Sequence, residues 1–363
     1  MTELSLLEFH RALTADFAEV NGMEVVNHYG DVLAEHAALR ASAGVIDLSF
    51  RGRLCLTGAD RQRFLNGQVT NNIKNLKDGQ GCYAALVTAK GKLQSDLNIY
   101  CLADELLLDF EPGLSAGIAE RFEKFIIADD VQIVDVAPHY GLLSVQGPRA
   151  AEAVNKLGLG FTFLEKPLHF SKVSEPTLGD IYCMNHSRGA ATGFDLFVPT
   201  DALAAVADKL IAAAKEVGGR ACGWQALEMI RIEAGIPRFG ADMDETNLAP
   251  EAGIEVRAIS YSKGCYIGQE VIARIRTYGQ VAKSLRGLVL PVDLTELPQR
   301  GEKLLHDDKE VGFITSAIAS PAFQKNIALA YVRREHNEPG TVLQLQIGDR
   351  VLDATVVPLP FNF

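Results

Sequence analysis

The sequence contains no C-x-x-C pair, no H-E-x-x-H spacing and no glycine-rich phosphate loop. The first absence removes zinc-ribbon and thioredoxin-type sites. The second removes the commonest zinc-hydrolase motif, and the third the simplest route to nucleotide binding. No uninterrupted apolar run reaches the roughly 18 residues a membrane helix requires. Basic residues are in the minority, 35 Lys and Arg against 46 Asp and Glu, for a net charge of −11. Such a chain binds nucleic-acid backbone or anionic membrane poorly, so neither is expected as a partner. The opening MTELSLLEFHRALTADF reads as an amphipathic helix carrying Glu3, Glu8 and Asp16. It lacks the basic start and apolar run of a secretory leader, and the chain is expected to stay in the cytoplasm.

What is present is 363 residues, enough for two or three domains. Arg53 to Thr57 forms a short apolar run, and Arg61 to Asn66 a helical stretch behind Asp60. Gly81 to Thr88 and Leu93 to Leu102 flank Ala89-Lys90-Gly91-Lys92 and read as a β-hairpin. Ser115 to Ile127 has helical periodicity, and short strands follow at Val131 to Val136, Leu142 to Val145 and Asp195 to Val198. Thr200 is placed to cap a long helix that Gly218-Gly219 ends, and a second helix spans Cys222 to Ala234. From about Arg286 the texture changes to short strands between Gly and Pro turns, which predicts a separate all-β barrel or sandwich, with a boundary near 275 to 285.

Three segments could carry chemistry. In Leu93 to Tyr100, alternation puts Leu93, Leu97 and Ile99 on one face and Gln94, Asp96, Asn98 and Tyr100 on the other. That polar row suits a heterocycle edged with donors and acceptors, although a solvated sheet face has the same spacing. Arg231, closing a helix before Gly235 and Pro237, could hold a carboxylate, or simply balance Glu233. Of six cysteines, five lie in apolar or alternating segments and read as buried thiols. Cys265 lies between Gly264 and Gly268, where a helix can start, with Lys263, Arg274 and Arg276 near it in sequence. A helix N-terminus and those cations favour a thiolate; an inert buried thiol is the alternative. No histidine or aspartate is arranged as a cysteine hydrolase requires. The sequon Asn185-His186-Ser187 is read as accidental.

In order, Gly44 to Ser49, Phe64 to Asn71, Gly79 to Tyr83, Gln146 to Ala150, Arg231 to Pro237, Ala249 to Gly253, Val311 to Ser316 and Pro360-Phe361 resemble the glycine-cleavage T-protein superfamily. Lys263-Gly264-Cys265-Tyr266-Ile267-Gly268-Gln269-Glu270 resembles the K-G-C-Y-x-G-Q-E signature of its YgfZ-like branch. The resemblance implies an α+β chain in a three-domain cloverleaf around a central folate cavity, with two α+β domains and a C-terminal β-barrel. The folate-binding region would be 1–280, interleaved as about 1–52 with 138–225 and 53–137 with 226–280, and the barrel 281–363. It implies tetrahydrofolate or a one-carbon derivative as cofactor. Asp96 and Cys265 become the working groups, and Tyr83, Asp96, Asn98, Arg231 and Lys263 the binding residues. The branch implies an accessory role for iron–sulfur client proteins and the tRNA modification that depends on them; the alternative is an aminomethyltransferase or related demethylase. Two departures stand out. Ser95-Asp96 keeps one acid where the T-protein has two, and Ala190-Ala191-Thr192-Gly193-Phe194-Asp195 lacks the Glu-Asp of T-G-E-D-G-F-E.

Overall fold

The computed structural model describes residues 4–189, 192–294, 296–348 and 350–362. Ala190 and Ala191 of the departure above, and Glu3 of the opening pattern, lie outside the described residues. In chain order come α1 (Leu7–Ala12), β1 (Asp16–Val20), β2 (Met23–His28), α2 (Val32–Ala41), β3 (Gly44–Asp47), β4 (Gly52–Thr57), α3 (Arg61–Gln68), β5 (Gln80–Val87), β6 (Leu93–Cys101), β7 (Leu106–Phe110), α4 (Ser115–Glu123) and β8 (Gln132–Asp135). They are followed by β9 (Tyr140–Gln146), α5 (Ala150–Asn155), β10 (Phe170–Glu175), β11 (Gly179–Asn185), β12 (Gly193–Pro199), α6 (Thr200–Glu216), β13 (Arg220–Ala221) and α7 (Trp224–Glu233). The remainder holds α8 (Glu255–Ala258), α9 (Gln269–Tyr278), β14 (Lys283–Leu290), β15 (Lys303–His306), β16 (Lys309–Ser320), β17 (Lys325–Arg333), β18 (Val342–Ile347) and β19 (Arg350–Val357). The chain divides into two compact units: Met1–Leu86, Ser95–Ile230 and Ser262–Tyr266 in one, and Val87–Gln94, Arg231–Tyr261 and Ile267–Phe363 in the other.

The first unit is layered helix, sheet, sheet, helix. One sheet has the order β10-β11-β12-β9-β3-β13, the other β5-β6-β7-β4-β8. Alternation decides which side chain enters which layer. Leu143, Val145, Leu196 and Val198 pack on the α6 stripe of Leu203, Val206, Ala207 and Leu210. On the far side, Leu54, Leu97, Ile99 and Leu108 pack against Phe64 of α3 and Phe122 of α4. The seam between the sheets takes the opposite set, Ile46, Leu142 and Phe197 against Cys55, Tyr100 and Leu107. The polar row of β6 therefore faces the second sheet, and Tyr100 is fully buried.

Two local expectations are corrected. The opening helix is only α1, because Asp16–Val20 pairs with Met23–His28 through an Asn21-Gly22 turn with both φ positive, the geometry hairpin strands favour. Thr200 does not cap α6: the N-cap is Pro199, and Thr200 Oγ1 donates instead to the Pro138 carbonyl at 2.9 Å.

The second unit contains a closed six-stranded barrel, β14-β17-β16-β15-β18-β19. Closure removes free sheet edges. Leu288, Leu290, Ile314, Ala330, Leu345 and Val356 fill its interior.

Candidate functional site

The site is built on β6. Asp96, Asn98 and Tyr100 share its inward face, at alternating positions. Tyr83, on neighbouring β5, donates its hydroxyl to Asp96 Oδ2 at 2.8 Å. Asp96 Oδ1 is buried and has no hydrogen-bond partner among the described residues, and the Tyr100 hydroxyl is in the same position. Burial and the negative charge of Glu111 push the Asp96 carboxyl up to about 6, while the Tyr83 hydrogen bond and Arg51 pull the other way. The group is mostly ionised at pH 7 and titrates just below it.

Beside Asp96 runs a row of charges that sheet register explains. Arg53 of β4 and Asn98 of β6 both stand opposite Asp109 of β7. Asn98 Nδ2 donates to Asp109 Oδ2 at 2.9 Å. Arg51 grips the same carboxylate with Nε at 2.7 Å and Nη2 at 3.2 Å, and its Nη1 donates to Glu111. Burial opposes the Arg51 charge, but the two carboxylates outweigh it and hold the guanidinium firmly protonated. Arg53 is 0% exposed and lowered to about 10 by burial; it donates Nη2 to the Ser49 and Ala137 carbonyls, and its Nε and Nη1 have no partner among the described residues.

The facing sheet supplies the complement. Asp195 Oδ2 receives Arg188 Nη2 at 2.6 Å and His186 Nδ1 at 2.8 Å, and Asp195 Oδ1 accepts from Ser144 Oγ at 2.6 Å. Burial alone would raise the Asp195 carboxyl, yet Arg188 and His186 hold it well below the usual carboxylate range. Arg188 Nη2 also reaches Asp109 Oδ2 at 3.4 Å, tying the two layers together.

The remaining expected residues sit elsewhere. Lys263 is buried, and its ammonium donates to the carbonyls of Asn66, Val69 and Asn71 at 2.6, 2.8 and 2.6 Å, closing the C-terminal end of α3. Burial lowers it to about 8. The sequence reading gave Lys263, Arg274 and Arg276 to the Cys265 thiol, but each has another partner. Arg274 pairs with Glu270 at 3.0 Å, and Arg276 lies over the Tyr261 ring at 4.0 Å. Cys265 is exposed, and every other cysteine is buried or half-buried. Gly268, with φ +84°, stands at the N-cap of α9. Arg231 belongs to the second unit, where its Nη1 pairs with Asp242 and its Nη2 donates to Ser316 Oγ of β16 at 2.9 Å. Among the described residues no cluster suits a metal ion, and no helix is long and apolar enough to cross a membrane.

The network of Arg51, Arg53, Asp109, Arg188 and Asp195 is absent from the sequence reading. A signal existed: Asp109 and Asp195 interrupt the apolar strands Leu106–Phe110 and Gly193–Pro199, and a charge inside such a run needs a buried partner.

Comparison with known proteins follows the same architecture. The family model described as GCVT N-terminal domain matches residues 6–263, and the glycine cleavage T-protein C-terminal barrel domain matches residues 283–362. An aminomethyltransferase of Halalkalibacterium halodurans is 31% identical over 372 residues, spanning 99% of each chain. One of Cupriavidus necator is 31% identical over 369 residues, spanning 97% of this chain and 95% of its own. The crystal structure of glycine cleavage system aminomethyltransferase T from Bartonella henselae shares the fold, with a TM-score of 0.90 at 22% identity over 99% of this chain and 97% of that one.

Proposed function

Because the chain belongs to the glycine cleavage T-protein family, we propose that it binds a tetrahydrofolate and catalyses folate-dependent one-carbon transfer of the aminomethyltransferase kind, with Asp96 as the working carboxylate. The observation that carries this reading is the buried, unpartnered Asp96 Oδ1, on a carboxyl held near 6. A buried acceptor without a donor costs free energy, and a ligand N–H aimed at it recovers that cost. Tetrahydrofolate supplies the nitrogen atoms that take up the one-carbon unit.

The chain's own residues divide the remaining work. Tyr83 fixes Asp96 Oδ2, so Oδ1 faces the ligand. Ionised at neutral pH, Oδ1 accepts a hydrogen bond or a proton from a ligand nitrogen, the role of a general base matched to its working pH. Asn98, locked on Asp109, keeps the β6 face rigid beside it. Lys263 holds the Lys263-Gly264-Cys265 segment against the end of α3. Arg231 enters as an orienting residue, since Asp242 already occupies its fork.

The test is turnover with tetrahydrofolate and an aminomethyl-lipoyl carrier. Wild type is expected to form methylenetetrahydrofolate, and Asp96→Asn to lose about a hundredfold or more, the usual worth of a general base. No turnover by folded, folate-binding wild type would remove the transferase reading.

One observation favours a second reading, that of an accessory protein for iron–sulfur clients. Cys265 is exposed, on a segment held by Lys263. The relatives described above are named aminomethyltransferases, which places the transferase first. If Cys265→Ser keeps folate affinity and fails to complement a deletion strain, the accessory reading gains; full complementation removes it.

A further inference from the structure

Asparagine followed by glycine occurs at Asn21-Gly22 and at Asn66-Gly67. The pair carries chemistry of its own. A glycine nitrogen has no side chain beside it, so it can approach the amide carbon of the preceding residue. The fold treats the two pairs differently. Asn66 is half-buried in α3 and its oxygens are engaged. Its Oδ1 accepts from the Ile73 and Lys74 N–H groups at 3.0 and 3.3 Å, and its carbonyl accepts from Lys263 Nζ at 2.6 Å. Attack on Asn66 requires that side chain to be freed and a turn of α3 to be unwound.

Asn21 and Gly22 are both exposed, at the tip of the β1–β2 hairpin, with φ +49° and +82°. The Gly22 N–H makes no hydrogen bond among the described residues, and a Cβ on Gly22 would meet no atom within 4 Å. The Asn21 side chain makes one bond, from Nδ2 to the Pro112 carbonyl at 3.4 Å, longer than the roughly 2.9 Å usual for such bonds. Nucleophile and electrophile thus share an open tip with room to turn and little to restrain them.

We propose that Asn21 is a site of covalent modification by the adjoining backbone, with water as co-reactant and ammonia as leaving group. The Gly22 nitrogen bonds to Asn21 Cγ, the Cγ–Nδ2 bond breaks, and ammonia departs with the proton of the Gly22 nitrogen. Water then opens the cyclic imide at either carbonyl, leaving aspartate or isoaspartate at position 21. Nothing is oxidised or reduced; a neutral amide becomes a carboxylate. The hairpin does not absorb this change. Its two-residue turn needs both central residues at positive φ, and isoaspartate adds a backbone methylene there, which displaces Val20 from Met23. The new carboxylate meets the Pro112 carbonyl, acceptor against acceptor, beside Glu19 and Glu24, which already stand opposite each other. Gly113 adds no slack, since a Cβ on it would lie 2.8 Å from the Asn21 carbonyl oxygen. The modification therefore loosens the hairpin from the β7–α4 connection and, through Val20, Val25 and Val26, from the core of the first unit.

The experiment ages the folded full-length chain at pH 8 and follows both asparagines by peptide mass mapping, with enzymatic methyl transfer to isoaspartyl carboxyls as a second readout. Asn21 is expected to lose its amide about tenfold or more faster than Asn66, whose reaction waits on local opening of α3. In urea the two rates should converge. Asn21→Gly keeps a turn that tolerates positive φ and removes the reactive amide, so the isoaspartyl signal should vanish. In aged wild type the amide hydrogens of Val25 and Val26 should exchange about tenfold faster than in fresh protein. An Asn21 amide that survives in folded protein while unfolded chain loses it overturns the assignment. So does an Asn66 that reacts as fast as Asn21 in folded protein, or an isoaspartyl signal that persists in Asn21→Gly. Unchanged exchange in fully modified protein overturns the loosening of the hairpin.

Discussion

Asp96→Asn removes a carboxyl that burial and the Glu111 charge hold at about 6, against an ordinary value of 3.8. A carboxyl raised on folding contributes stability below its unfolded value and loses that contribution as pH rises through its folded value. At pH 5 most folded molecules hold this proton and few unfolded chains do. The difference corresponds to stability on the order of 1 kcal/mol that is gone by pH 8. Asparagine does not titrate, and the new amide's unmet hydrogen bond costs the same at both pH values. The assay is therefore urea unfolding of wild type and Asp96→Asn at pH 5 and at pH 8. Wild type should lose on the order of 1 kcal/mol more than the variant between the two conditions. Parallel pH dependence would show that Asp96 titrates as it does in water, and the reasoning about its environment would fall.

Tyr83→Phe withdraws the hydroxyl that favours the ionised form, so the acid limb of the turnover profile should move to higher pH; an unmoved limb separates Tyr83 from Asp96. Asp109→Asn leaves Arg51 and Arg188 short of a buried partner and should cost about 3–5 kcal/mol in unfolding free energy by urea titration. Lys263→Met strands three carbonyls at the end of α3 and should cost about 2–3 kcal/mol, read from the same titration. An aromatic disulfide reagent on native protein should show one fast thiol, lost in Cys265→Ser, because burial raises the other five thiols.

Periodicity made much of the fold legible. The α6 stripe, the hairpin of β5 and β6 and the strand texture of the barrel are local signals, and α6 and β6 lie where the sequence puts them. The inward face of β6 was legible too, but not what covers it. A row at alternating positions looks the same under water as under another sheet, and only packing distinguishes them. The missing half of the site has the same cause. Asp109 and Asp195 lie far apart in sequence, and Arg188 joins them only when two sheets stack. Thr200 shows the limit of local rules: its side chain meets Pro138, a residue no capping pattern names. Cys265 was singled out correctly as unlike the other cysteines, but the cations near it in sequence are engaged elsewhere.

The ionic seam of the first unit has a consequence for alignment. Oily surfaces tolerate sliding, because one methyl group substitutes for another at little cost. Guanidinium forks do not, since a carboxylate shifted by one residue would point to the opposite side of its strand. Arg51 and Arg188, meeting at Asp109, act as a key that admits a single registration of the two layers. The strand bearing Asp96 thus has its placement fixed by the charges beside it.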